Sequence, residues 1–221
     1  MLQIRVIDLT REIYDRTESF PGDHVGIEIE HLATVKTDGH NLSRITRLDC
    51  HCGTHIDSPL HFVDEGDDVA SIPLDIVPAV VISTQEKRIG VRVFQDAGSL
   101  AGCAVLIHTG WCSRVGSPDF YKEFPCLTRE SASLLAISGA RIVGLDSPSP
   151  DPSDSVDFPA HRILLAEGVQ IVESLINLDQ LYATAGTSFF AAFPLRIRGL
   201  EASPVRAVGL VFQSGEGEPC C

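Results

Sequence analysis

The stretch from His51 to His61, HCGTHIDSPLH, sets three imidazoles and a carboxylate beside a glycine and a proline. Few local structures accommodate that combination. In an α-helix His51 and His55 would share a face, but Asp57 would lie well round the cylinder, and Gly53 and Pro59 both oppose helix. An extended chain fits better. Positions 51, 55, 57 and 61 are all odd, so a period of two sends the four polar groups to one side. Cys52, Thr54, Ile56, Ser58, Leu60 and Phe62 fall on the other, mostly apolar side. A straight strand rising ~3.3 Å per residue would hold the Cα atoms of His51 and His55 about 13 Å apart, near the limit for sharing one ion. The spacing therefore predicts a bend between them at Gly53, where it costs least, with Pro59 ending any ladder.

Imidazole plus carboxylate suits zinc, manganese or iron(II). A catalytic zinc keeps three protein ligands and one open position, which His51, His55 and Asp57 could supply, leaving His61 as an acid or base. The plainer alternative is a polar edge strand with unliganded histidines. A rival chemistry is a non-haem iron(II) oxygenase using His55, Asp57 and the distant His161 as an H-x-D…H facial triad. The 2-oxoglutarate branch of such enzymes places an arginine about ten residues past the distal histidine, where this chain has Ile171, and His51 and His61 would lack roles. A non-enzymatic metal-binding or regulatory protein is a further alternative. The isolated His24, His31, His40 and His108 read as surface or core residues. Cys50 and Cys52, on the apolar side, read as buried thiols.

The 221 residues suit one domain, 1–221. A formal net charge of −13 disfavours nucleic acid and anionic membrane as partners and leaves a small molecule. No apolar run approaches the ~18 residues of a membrane span. Arg5, Asp8, Arg11 and Glu12 interrupt any signal-peptide core. Seven cysteines, with no C-x-x-C and with Cys220 and Cys221 adjacent, suit reduced thiols and a cytoplasmic location. Neither a G-x-S-x-G elbow nor a G-x4-G-K-[ST] phosphate loop is present.

Short β-branched runs predict strands at 2–8, 25–35, 42–48, 76–83, 104–109, 141–146, 187–197 and 205–212. Helices are predicted at 129–138 after Thr128, from Pro159 to about Glu167, and at 174–182, where Leu175, Leu178 and Leu181 share a face. The Pro- and Ser-rich segment 146–159, DSPSPDPSDSVDFP, is read as a loop bordering the site. Many strands with helices gathered late argue a mixed α/β domain without strict alternation.

The stretch HCGTHIDSPLHF resembles the H-x-G-T-H-x-D-x-P-x-H signature of the cyclase family of metal-dependent hydrolases, which includes kynurenine formamidases and isatin hydrolases. The resemblance continues through FPGD (20–23), HTGW (108–111), GLDSPSPD (144–151), HRILLAEGVQIVESLINL (161–178) and SPVRAVGL (203–210). It implies a compact, β-rich domain of the swivelling β/β/α type, assembled as a homodimer or homotetramer. It also implies metal ligands at His51, His55, Asp57, His161 and Glu173, holding one or two Zn2+ or Mn2+ ions, and His61 as catalytic acid/base. Only the resemblance singles out His161 and Glu173. The implied reaction is attack of metal-activated water on a small amide, formamide or cyclic imide C–N bond, with a lactone or ester as the alternative. Kynurenine formamidases of the family carry T-G-A-H-A-D where this chain has CGTHID, so the substrate stays open. Phe20, Phe62 and Trp111 lie beside matched motifs and are candidates to stack on a flat substrate, or plain core.

Overall fold

The computed structural model describes residues 3–184 and 187–213. The expected strand residue Leu2 and the Cys220–Cys221 pair lie outside them. In chain order, β1 (Gln3–Asp8) precedes a small hairpin of β2 (Glu18–Ser19) and β3 (His24–Val25). An arm follows, made of β4 (Ile27–Ala33), a single helical turn α1 (Val35–Asp38) and β5 (Leu42–Leu48). The body comprises β6 (His55–Asp57), β7 (Val77–Ser83), β8 (Arg88–Ile89), β9 (Ala104–His108), β10 (Cys126–Leu127), α2 (Arg129–Ile137) and β11 (Ile142–Leu145). It closes with α3 (Pro159–Ala166), β12 (Gln170–Glu173), α4 (Leu178–Tyr182), β13 (Thr187–Pro194) and β14 (Ala202–Gln213).

One sheet organises this order. β7, β9, β11 and β12 run parallel, and β6 joins β12 antiparallel. β13 pairs β7 on the other flank and β14 over residues 205–212. The start of β14, residues 202–204, pairs with β6, so the sheet closes into a barrel-like ring, with β1 added along β14. The closed sheet satisfies the β-rich single-domain expectation. The four parallel strands are apolar on both faces, as strands covered on two sides must be. Ala104, Leu106, Ile142 and Val172 face the ring interior with Leu175, Leu178 and Leu181. Val105, Ile107, Val143, Leu145 and Ile171 face Leu135 of α2 and Leu164 and Leu165 of α3. Among the described residues the strands of the arm form a ladder with each other alone, tied at its base by Arg16 N donating to Ile27 O (2.9 Å), and the arm leaves Leu32, Leu42 and Ile45 exposed.

Most expected elements fall within a few residues of the observed ones. Thr128 caps α2, its Oγ1 accepting from Ser131 N at 3.2 Å, and Gly139 (φ 74°) ends it. Three expectations need correction. The helix expected over 174–182 starts only at Leu178, because Ser174 and Asn177 hold left-handed φ values of 57° and 56°. Ser174 N donates to Ser147 O (3.0 Å) and Leu175 N to Leu145 O (2.9 Å), so that segment prolongs the sheet's hydrogen bonding. The extended conformation expected across 51–61 is confined to β6, and Pro59–His61 forms a 3-10 turn. Last, the closing strand begins at Ala202, since its first residues are needed to pair with β6.

The interior is filled where glycine permits it. A Cβ on Gly144 would meet Leu106 Cδ2 at 2.6 Å and Leu175 Cδ1 at 2.8 Å. Gly144→Ala should therefore lower the unfolding free energy in urea by about 1–3 kcal/mol through overpacking. An unchanged midpoint would mean that the ring interior has slack.

Candidate metal centre

The bend expected at Gly53 is present: its φ is 69°, and a Cβ there would sit 2.4 Å from Ile13 Cγ2. Two separate constraints thus require glycine. The turn returns the chain so that His51 approaches His55, their ring centroids 4.9 Å apart. β6 then lies between two strands. His55 is directly opposite Glu173 of β12, and Asp57 follows two residues on, on the same face. Pro59 starts the 3-10 turn that carries His61, whose ring lies 4.6 Å from that of His51 and 5.6 Å from that of His161. His161 comes from the first turn of α3.

All five expected ligands are brought together. His55 Nε2 is 3.2 Å from Glu173 Oε2 and 3.6 Å from Asp57 Oδ1. His161 Nε2 is 3.2 Å from Glu173 Oε1 and 3.7 Å from Asp57 Oδ2, and His51 Nδ1 is 3.3 Å from Asp57 Oδ1. Asp57 is fully buried and Glu173 nearly so. Yet among the described residues His55 Nε2, both Asp57 oxygens and Glu173 Oε1 have no hydrogen-bond partner. Burying such atoms without partners is costly, and groups that stand this close without bonding one another fit donors arranged around a shared cation. Two overlapping donor sets arise, His55–Asp57–Glu173 and His51–Asp57–His61, with Asp57 common to both. Carboxylate oxygens and imidazole nitrogens of this kind suit zinc or manganese.

The surroundings set the imidazole tautomers. Gly53 O only accepts, so His55 Nδ1 (3.0 Å away) carries the proton and Nε2 is left with its lone pair. His161 Nδ1 donates to Asp151 Oδ2 at 2.7 Å, which frees Nε2 in the same way. Asp151 also accepts from the backbone N–H of Ala160 and His161, anchoring the start of α3.

The Cyclase family model matches residues 7–152. The chain belongs to the cyclase family. It is 34% identical over 205 residues to the kynurenine formamidase of Geobacillus thermodenitrificans, covering 91% of this chain and 95% of that protein. Its fold is similar to isatin hydrolase A from Ralstonia solanacearum, with a TM-score of 0.81, 25% identity, and coverage of 94% of this chain and 92% of the other. It is also similar to a structure described as a potential metal-dependent hydrolase with cyclase activity, with a TM-score of 0.78, 27% identity and coverage of 96% and 100%.

Within this cyclase-family site, burial opposes a charge on His51, but the adjacent carboxylates of Asp57 (3.3 Å) and Glu201 (3.4 Å) outweigh it and push its pKa up to about 10. Burial likewise opposes charge on His161, and Asp151, Asp57 and Glu173 overcome it and raise its pKa. Asp57 resists burial through His161 and His51, which hold it well below the usual carboxylate range. His61 differs: burial dominates and lowers its pKa, so it is neutral at pH 7.

A cavity of about 180 Å³ opens onto this cluster. Phe20 and Phe62 line it, as does Phe158. Trp111, grouped with them in the sequence reading, does not. It is buried against Phe120 and Phe124, and its indole N–H donates to Phe120 O at 2.8 Å. Phe62 reaches the cavity although it was expected on the apolar side, because the 3-10 turn ends the alternation. Sequence reasoning missed Asp151, Phe158 and Glu201, whose Oε1 lies 3.4 Å from His51 Nε2. Asp151 and Phe158 had a signal, since both sit in the Pro- and Ser-rich segment expected to border the site, whereas Glu201 had none.

Two outcomes follow from this geometry. Asp151→Asn should weaken metal binding by about 10–100-fold, measured by chelator competition, because the His161 ring loses its anionic partner and one of the two oxygens that accept from Ala160 N, His161 N and His161 Nδ1 becomes a donor amide. Equal affinity would remove Asp151 from that role. In metal-free protein the folded pKa of His51 (about 10) exceeds the unfolded value of ~6.5, so its stabilising proton is fully present below ~6.5 and is lost as pH rises toward about 10. The thermal midpoint of chelator-treated protein should therefore drop across that window. Metal-loaded protein should drop less, since a cation replaces those protons. Parallel pH profiles would contradict this.

Proposed function

We propose that this chain hydrolyses a small non-peptide amide, formamide or cyclic imide at a divalent-metal site formed by His51, His55, Asp57, His161 and Glu173. His61 acts as the acid/base. At the level of its family the chain is a metal-dependent hydrolase of amide-type C–N bonds. The observation that carries the reading is the set of buried, unpartnered donor atoms of His55, Asp57 and Glu173 beside a cavity that His61 also lines.

A divalent cation there supplies Lewis acidity, lowering the pKa of water from ~16 toward ~7. The protein's own residues do the rest. His55 and His161 present lone pairs with tautomers fixed by Gly53 O and Asp151. Phenyl walls limit bulk water around the reacting carbonyl. His61 starts neutral, since burial lowers its pKa, and so accepts a proton from the attacking water as the C–O bond forms. It then donates that proton to the nitrogen as the C–N bond breaks. The products are a carboxylic acid and an amine, or a ring-opened acid from a cyclic imide.

His55→Ala and Asp57→Ala should lose bound metal and activity together, the former by elemental analysis and the latter against a panel of formamides and cyclic imides. His61→Ala should keep its metal and lose about 10²–10⁴-fold in kcat. Near-full activity in His61→Ala would falsify the acid/base assignment. Oxygen uptake in the iron(II)-loaded protein would instead favour the oxygenase chemistry.

A further inference from the structure

Glu201 has no task in the hydrolytic step, yet its carboxylate faces a ligand. Its Oε1 lies 3.4 Å from His51 Nε2, and among the described residues no lysine or arginine pairs with it. The residue stands immediately before β14, and its main-chain carbonyl accepts from both Ser58 N and Ser58 Oγ at 2.9 Å. Ala202 then pairs with Asp57, so the backbone carrying Glu201 is fixed against β6. The Glu201 side chain is 35% exposed, whereas Asp151, behind His161, is fully buried.

The His51 ring is oriented in reverse of the other two. His55 and His161 turn Nε2 toward Glu173 and Asp57 and leave Nδ1 to Gly53 O and Asp151. His51 turns Nδ1 toward Asp57, at 3.3 Å, and Nε2 outward to Glu201. The two nitrogens of an imidazole diverge, so a ring presents one of them to a given ion. A half-turn about Cβ–Cγ would put carbons where both nitrogens stand and leave two carboxylates facing C–H edges. Asp57 and Glu201 together therefore select the orientation seen. In a neutral ring with one nitrogen given to an ion, the other carries the proton. The group that proton meets is Glu201 Oε1, which only accepts. Their separation exceeds the usual ~3.2 Å limit of an N–H···O bond, and rotation of the partly exposed Glu201 side chain closes it.

We propose that His51 binds the divalent cation through Nδ1, opposite to His55 and His161, and that Glu201 is the positioning residue that keeps the proton on His51 Nε2. An outer carboxylate of this kind fixes a ligand's tautomer and raises its basicity. Each of the three imidazoles then has its own acceptor behind it: a carbonyl for His55, a buried aspartate for His161 and a glutamate open to water for His51. The inference rests on the metal site of the hydrolase reading and deepens it.

The test uses the full chain, labelled with nitrogen-15 at histidine and saturated with Zn2+. Proton–nitrogen correlation spectra of the imidazoles should show one ligand ring bound through Nδ1 with its proton on Nε2, and two rings with the reverse pattern. In Glu201→Ala the Nε2–H of that one ring should exchange with water faster, while the Nδ1–H signals of the other two stay as they are. Chelator competition should find Zn2+ held about 10–100-fold more weakly by Glu201→Ala. Glu201→Gln, which keeps an acceptor oxygen, should fall between that variant and the wild type. A merely structural role through the Ser58 bonds belongs to the main chain and would leave both variants at wild-type affinity, which overturns the part given to Glu201. Zinc held by Nε2 of all three rings overturns the nitrogen assignment. A wild-type chain that takes up neither zinc nor manganese overturns the metal reading itself, and this inference with it.

Discussion

Two carboxylates buried beside each other without adequate hydrogen bonding set the terms for everything around them. Asp57 and Glu173 stand on adjacent strands, shut away from water, and repel one another. No sheet would keep such a pair unless positive charge lay between or beside them. The three imidazoles of His51, His55 and His161 surround the acids at 3.2 to 3.7 Å, too poorly aligned to neutralise them by hydrogen bonding alone. A divalent cation answers both the repulsion and the unfilled lone pairs. The chemistry and the fold therefore share one electrostatic requirement.

β6 is where the architecture meets that requirement. Only three residues long, it is hydrogen-bonded on one side to β12, which brings Glu173, and on the other to the start of β14, next to Glu201. It is also the strand that completes the ring. Any displacement of β6 moves two donors and opens the sheet at once. The loop before it is tied down in turn by Cys52 N to Asp49 O and by the Ser19–Cys52 bridge to the small β2–β3 hairpin. That hairpin also carries Phe20 at its tip.

Much of this was legible in the sequence where a local rule applied. The bend at Gly53 followed from the reach of two histidines, and the α2 boundaries from Thr128 and Gly139. What stayed hidden depended on pairing between distant segments. Nothing near Glu173 says that it will lie opposite His55, and only the family resemblance pointed to it. Asp151 looked like loop punctuation until α3 brought His161 onto it at 2.7 Å. The helix expected from residue 174 failed because leucine spacing is silent about the left-handed Ser174 and Asn177. Trp111 drew notice by its neighbours in sequence, whereas its indole is spent on a carbonyl in the core.

The donors come from two stretches far apart along the chain, residues 51–61 and 161–173, with β7 through β11 lying between them. An ion held by both ends works as a reversible staple closing a very long loop, and it binds the folded chain far better than the unfolded one. Its occupancy is therefore thermodynamically inseparable from the persistence of the whole barrel. For a chain with this wiring, a cation bound there would govern longevity as well as turnover.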